Sequence, residues 1–247
     1  MKILLLGGTG EAIRLARKLS VPKIDLTYSI AGLVRKPQLD CELRVGGFSS
    51  IHCSGSEGLQ AYLGINSIDL LIDATHPYAF NMSYNAVAAA HGAGVPVWRY
   101  NRASWSRQQT GEAIEFHELC ELEECLSAYQ MPFFTIGGSF LSTEMPVAVG
   151  QHWLVRAANK LSVPEHATLI QSIGPFSMDS ELQLMRQYSV DALITKNSGG
   201  DDAKLAAAKI LKIPVFIQVR PELPSADWQS HSIDLLHQKV IELEKQI

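Results

Sequence analysis

KILLLGGTGEAIRLA, residues Lys2–Ala16, sets a short apolar run against a glycine-rich break and then an amphipathic segment. Ile3–Leu6 is too brief for a helix and unbroken by polar residues, which suits a strand buried on both faces. Gly7-Gly8 ends it. Glu11–Leu19 follows with Ile13, Leu15, Ala16 and Leu19 spaced for one buried helical face. The plan recurs in DLLIDATHPYAF at Asp69–Phe80 and in DALITKNSGGDDAKLAAAKIL at Asp191–Leu211. Each is a strand, a polar or glycine-rich turn and a helix. In open parallel sheets ligands sit beyond the carboxyl ends of the strands, so these three turns locate a candidate site.

Working outward, the first hundred residues alternate between strand and helix. Ile24–Leu33, Leu43–Val45, Asp69–Ala74 and Val95–Arg99 read as strands; Ser56–Leu63 and Phe80–His91 read as helices. Such alternation predicts parallel pairing through crossovers. Polar Asn101–Gly111 breaks the rhythm and is followed by an acidic helix around Glu118–Tyr129. Strands then resume at Phe133–Ile136, His152–Val155, Thr168–Ser172, Ala192–Thr195 and Val215–Val219, with helices at Asp179–Tyr188, Ala203–Leu211 and Ile233–Lys245. The expectation is an α/β chain of two Rossmann-like parallel-sheet halves with an active-site cleft between them. Residues 1–103 form the coenzyme-binding domain and 104–247 a second α/β domain contributing to substrate binding.

Composition limits the function classes. The 247 residues carry 21 basic and 25 acidic side chains, a formal charge of −4, whereas nucleic-acid binders usually carry a basic excess. No apolar run reaches the roughly 18 residues of a membrane span. Cys41, Cys53, Cys120 and Cys125 form no CxxC pair and share no zinc-like spacing with the eight histidines, so reduced thiols, no metal and a cytoplasmic setting are expected.

The turns carry the chemistry. Gly8-Thr9-Gly10 sits where a dinucleotide loop sits: glycines admit a pyrophosphate, and the helix N-terminus offers N–H groups and positive potential. The fingerprint is partial, because Ile13 stands at the third glycine position. The end of the second strand offers Arg35 and Lys36 in place of an acid, and a guanidinium suits a 2′-phosphate, which favours NADPH over NADH. Asp73 ends an otherwise apolar strand, where a carboxylate must be paired or face a cleft. Pro77 biases His76 toward an extended conformation that aims the imidazole away from the next helix. Asp73 and His76 are thus the candidate catalytic residues, with Thr75 beside them on the coenzyme; helix capping is the alternative. Lys196, Ser198 and Lys204 around Gly199-Gly200, with Arg99, Arg102 and Arg220 after other strands, are candidate holds for an acidic substrate. There is no GxSxG elbow, Walker loop or Tyr-x3-Lys pair to support hydrolysis, phosphoryl transfer or short-chain dehydrogenation.

Taken together, LLLGGTGEA (Leu4–Ala12), SIAG (Ser29–Gly32) with Arg35, RVGGF (Arg44–Phe48), IDATHPYA (Ile72–Ala79), TIG (Thr135–Gly137), GPF (Gly174–Phe176), TKNSGG (Thr195–Gly200) with Lys204, and Val219-Arg220-Pro221 resemble the precorrin-6A reductase family of cobalamin biosynthesis. Gly10 replaces the family's usual Thr or Ala, and Arg102-Ala103-Ser104-Trp105 replaces its Arg-Pro before the Trp. The resemblance implies NADPH-dependent reduction of a ring double bond of the tetrapyrrole precorrin-6A. It also implies carboxylate arms held by the cations named above, no flavin, and transient contact with neighbouring pathway enzymes. The alternatives are the cobalt-containing substrate, another NADP-linked oxidoreductase and a non-catalytic ligand-binding module.

Overall fold

A computed structural model of the chain describes residues 1–32, 37–142 and 145–246. Arg35 therefore lies outside the described residues. The expected α/β architecture is present as two parallel six-stranded sheets. The chain divides into one unit of Met1–Ala103 with Pro221–Ile247 and a second of Ser104–Arg220.

In the first unit the strands are β1 (Lys2–Leu6), β2 (Asp25–Ile30), β3 (Glu42–Val45), β4 (Leu70–Asp73), β5 (Val97–Tyr100) and β12 (Trp228–Ser230). Their spatial order is β12-β5-β4-β1-β2-β3, which is the dinucleotide-fold order 3-2-1-4-5-6 once β12 counts as the sixth strand. Alternation along β1 sends Ile3 and Leu5 to one face and Leu4 and Leu6 to the other. Ile3 and Leu5 pack with Leu15 and Leu19 of α1 (Gly10–Leu19) and Leu236 and Val240 of α8 (Ile233–Glu244). Leu4 and Leu6 pack with Leu59 and Leu63 of α2 (Gly55–Ile65) and Ala86 and Ala90 of α3 (Phe80–Ala93). Both faces are therefore buried, as the unbroken apolar run of β1 required.

The second unit contains β6 (Ile114–Phe116), β7 (Pro132–Phe134), β8 (Trp153–Ala157), β9 (Ala167–Gln171), β10 (Ala192–Lys196) and β11 (Val215–Gln218) in the order β6-β11-β10-β7-β8-β9. Phe133, Leu154, Leu193 and Ile217 face Met185 of α6 (Met178–Gln187) and Leu205 and Ala208 of α7 (Ala203–Leu211). Phe134, Trp153 and Phe216 build the opposite core with Phe140, Leu122 and Leu126.

Two expectations are corrected. Residues 221–247 do not belong to the second unit: Trp228, Gln229 and Ser230 pair with Trp98, Arg99 and Tyr100 of β5, and α8 packs on α1. The pairing joins segments so distant in sequence that local periodicity carries no sign of it. After the one-turn helix α4 (Arg107–Thr110), the acidic helix around Glu118–Tyr129 is a 3-10 turn, Leu119–Leu122, and a short α-helix, α5 (Glu123–Leu126). Its run stops where the buried Gln151 amide donates to the carbonyls of Leu126 and Tyr129, at 2.7 and 2.8 Å.

Candidate active site

In the first sheet the strand order reverses between β1 and β4, and the turns after these two strands meet there. Gly7 takes its place because Tyr28 lies against it: a Cβ would fall 2.2 Å from the ring. Gly8 has φ +112°, a backbone state that glycine alone adopts readily, and its N–H donates to the Tyr28 hydroxyl at 2.9 Å. Gly10 answers to no such internal demand. A Cβ there, as at Gly8, would meet nothing within 4 Å, so the surface over the turn is open. The N–H groups of Gly10 and Glu11 open α1 with no carbonyl earlier in the helix to receive them, which is the ordinary makings of an anion site.

Thr9 is committed internally. It caps α1 by accepting from Ala12 N–H at 3.1 Å and donates to Ala74 O at 3.2 Å, tying the first turn to the end of β4. Asp73 is buried, and each of its oxygens is engaged. Oδ1 accepts from the Thr75 N–H and hydroxyl at 3.1 and 2.7 Å; Oδ2 accepts from the Ser83 hydroxyl at 2.7 Å and Arg99 Nε at 3.0 Å. Arg99 is itself buried and also donates to Pro224 O at 2.6 Å. Asp73 and Arg99, read from the sequence as a catalytic carboxylate and a substrate hold, are thus engaged with each other. A carboxylate and a guanidinium placed in a core must neutralise each other, and these two anchor the turn. Thr75 spends its donor on Asp73 and keeps only acceptor capacity. His76 is half-buried; its Nδ1 accepts from Tyr78 N–H at 3.3 Å, so the neutral ring carries its proton on Nε2. Arg102 bonds Glu11, in the first turn of α1.

The second sheet reverses between β10 and β7. Here Lys196 ends β10, Ser198 turns back to donate to Lys196 O at 3.2 Å, and Arg220 Nε donates to Asn197 O at 2.6 Å. A pocket of about 420 Å³ opens at these strand ends, lined among others by Lys196, Gln218, Ile136, Ser139, Phe140 and Glu118. Burial pushes the Lys196 ammonium down from the usual lysine range. Lys204, in the first turn of α7, is pushed down to about 8, chiefly by burial, with Glu181 opposing and Arg156 reinforcing the shift. Its ammonium lies 5.4 Å from the centre of the Trp105 ring. A larger hollow of about 600 Å³ on α6, lined by Asp179, Leu182, Gln183, Arg186 and Gln187, holds no strand-end residue.

The structure thus brings Gly8, Thr9, Gly10, Asp73, Thr75 and His76 together in one unit, and Lys196, Ser198 and Arg220 together in the other. Sequence reasoning missed Tyr28, whose ring and hydroxyl shape the glycine turn. It also missed Glu181, a buried carboxylate 25 residues from its partner Arg156. No local spacing signals either.

Comparison with known proteins identifies the family and the fold. The family model described as "Precorrin-6x reductase CbiJ/CobK" matches residues 2–240. The chain is 39% identical over 237 residues to a precorrin-6A reductase of Rhodococcus erythropolis, covering 91% of each. It is 34% identical to a precorrin-6A reductase of Rhodobacter capsulatus, covering 92% of this chain and 90% of the relative. It is 25% identical to a cobalt-precorrin-6A reductase of Priestia megaterium, over 95% of this chain and 96% of the relative. A solved structure titled "CobK precorrin-6A reductase" superposes with a TM-score of 0.83 at 30% identity, covering 98% of this chain and 97% of that one. The chain is therefore an oxidoreductase and belongs to the precorrin-6x reductase family.

Proposed function

We propose that the first unit binds NADPH over the β1 turn and that the second binds the carboxylate arms of the tetrapyrrole through Lys196, Ser198, Lys204 and Arg220. Family membership gives the reaction, reduction of precorrin-6A in cobalamin biosynthesis. The observation that carries the coenzyme assignment is the position of the glycine turn at the β1/β4 reversal of a 3-2-1-4-5-6 sheet, where dinucleotides bind. The residues fit such a group. Gly8 and Gly10 leave open surface for a pyrophosphate, and the Gly10 and Glu11 N–H groups, at the start of α1, have no earlier helical carbonyl to bond.

When bound, the coenzyme supplies a hydride to one carbon of a ring double bond, and a proton completes the neighbouring carbon. The chain's own contribution is placement, and close oriented approach can be worth about 7–11 kcal/mol. Asp73 holds Thr75, Ser83 and Arg99 in one buried knot, which fixes the backbone that presents His76. His76 is the side chain proposed for proton delivery, and it acts in its imidazolium form, since the neutral ring is too weak an acid to give up its one proton. Arg102 neutralises Glu11, removing a negative charge from the edge of the proposed pyrophosphate site.

Anaerobic mixing of the protein with NADPH and precorrin-6A tests this. One NADPH consumed for each macrocycle reduced, with NADH a far poorer donor, is the expected result. Arg35→Ala should raise KM for NADPH much more than for NADH. Equal effects on the two coenzymes would overturn the 2′-phosphate role of Arg35. Turnover with the cobalt-containing macrocycle in place of the metal-free one would identify the other substrate form as the natural one.

A further inference from the structure

The turn after β3 is folded around a guanidinium. Arg44 lies in β3, opposite Ser29 of β2 in the sheet register. Its Nη1 donates to the Ser29 hydroxyl at 3.3 Å and to Gly46 O at 2.6 Å, and its Nη2 donates to Gly47 O at 2.8 Å. The guanidinium carbon lies 3.7 Å from the centre of the Phe48 ring and 5.2 Å from that of Tyr62 on α2. Gly46 completes the turn: its φ is +121°, and its N–H donates to Ile30 O at 2.9 Å. A lysine has no planar fork with which to reach these oxygens together, so the geometry sets the residue type.

Two further features point to a ligand. A Cβ on Gly32, beyond β2, or on Gly46 would meet nothing within 4 Å, as over Gly8 and Gly10; on Gly47 it would meet only Ser49 Oγ, at 3.8 Å. Open glycine surface thus follows β1, β2 and β3 in turn. Ser29 ties these strand ends together, since its carbonyl accepts from Gly7 N–H at 2.8 Å and its hydroxyl from Arg44. The second feature is charge. No carboxylate among the described residues pairs with the half-buried Arg44, which leaves its positive charge for an anion.

β3 lies two strand spacings, about 10 Å, from β1. A dinucleotide whose pyrophosphate sits at the β1/β4 reversal has its adenosine ribose at the end of β2, so the groups beyond that ribose reach the turn after β3. We propose that this turn is the subsite for the phosphorylated adenosine end of the coenzyme, and that Arg44 is its positioning residue, holding Gly46 and Gly47 against the end of β2. The proposal rests on the reading that the coenzyme binds over the β1 turn.

Calorimetric titration of the intact chain with adenosine 2′,5′-bisphosphate tests it. R44M should weaken binding about tenfold, the order expected for losing a set of charge-assisted hydrogen bonds. R44K keeps the charge but not the fork and should recover little of that loss. F48L, which keeps an apolar side chain but removes the ring face, should weaken binding by a smaller factor. In turnover assays R44M should raise KM for NADPH while kcat and KM for the macrocycle hold; general loosening of the chain would move all three. Should R44M fail to fold, R44K and F48L carry the test. A parent that binds the bisphosphate, with R44M and R44K binding it as tightly, overturns the proposal and leaves the coenzyme reading standing. Full recovery in R44K overturns the positioning role of the fork. A parent that does not bind the bisphosphate overturns the coenzyme reading itself, and this subsite with it.

Discussion

The strand-end turns of the two units differ in where their charges end up. Among the described residues of the first, Asp73 takes Arg99, Thr75 and Ser83, while Glu11 takes Arg102 and Arg14. The turn after β1 leaves open surface over Gly8 and Gly10. In the second unit, Lys196 and Lys204 end a strand and begin a helix with ammonium groups that burial makes easier to deprotonate. A site that recognises a ligand through backbone N–H groups needs a rigid frame. A site that grips carboxylates needs partly desolvated cations. The contrast supports a division of labour, with coenzyme on one unit and a polyanionic ring on the other.

The largest effect expected from this contrast is on stability. Asp73→Ala leaves the Arg99 guanidinium buried without its partner, which should cost about 3–5 kcal/mol. Scanning calorimetry should show the transition of the first unit moving down while that of the second stays. A variant that melts like the parent would break the account of the buried knot. Gly7→Ala comes next, since its Cβ would fall 2.2 Å from the Tyr28 ring. Overpacking of this kind costs about 1–3 kcal/mol. Calorimetric titration should show weakened NADPH binding with the macrocycle affinity little changed.

Lys204 sharpens the comparison through pH. Its ammonium is pushed from the ordinary value of 10.5 down to about 8. Between these values the unfolded chain holds a proton that the folded chain lacks, so this group's contribution to stability rises with pH across that window. Its grip on an anion runs the other way and is lost as pH rises through about 8. KM for the macrocycle should therefore climb over a range in which thermal stability improves, and K204M should abolish both trends. A macrocycle KM independent of pH through this range would remove Lys204 from the site. The smallest effect belongs to Ser54→Ala, which removes the capping box of α2. It should cost about 1 kcal/mol in urea unfolding and leave both KM values unchanged.

Much of this architecture was legible in the chain. The four apolar residues Ile3–Leu6 announced a strand buried on both faces, and the glycines behind them announced the turn into α1. Residue type also brought His76, Lys196 and Lys204 to attention correctly as strand-end or helix-start positions. What sequence could not convey was the fate of each charge. Arg99 and Lys196 both follow apolar strands, yet one lies opposite Asp73 in the sheet register and the other does not. Likewise Glu181 reads as an ordinary polar position of an amphipathic helix until β8 sets Arg156 beneath it. Edge strands of three residues, Ile114–Phe116 and Trp228–Ser230, carry too few alternations to register as a pattern.

The return of the carboxyl-terminal segment to β5 and α1 has a consequence for biogenesis. A ribosome releases the amino end first, yet the sheet begun by β1 stays unfinished until β12 and α8 emerge. The contiguous Ser104–Arg220 stretch has all its strands beforehand. The unit that begins first is therefore completed last, and a stop codon between Arg220 and Trp228 strips a strand and a helix from the first unit while leaving the second whole.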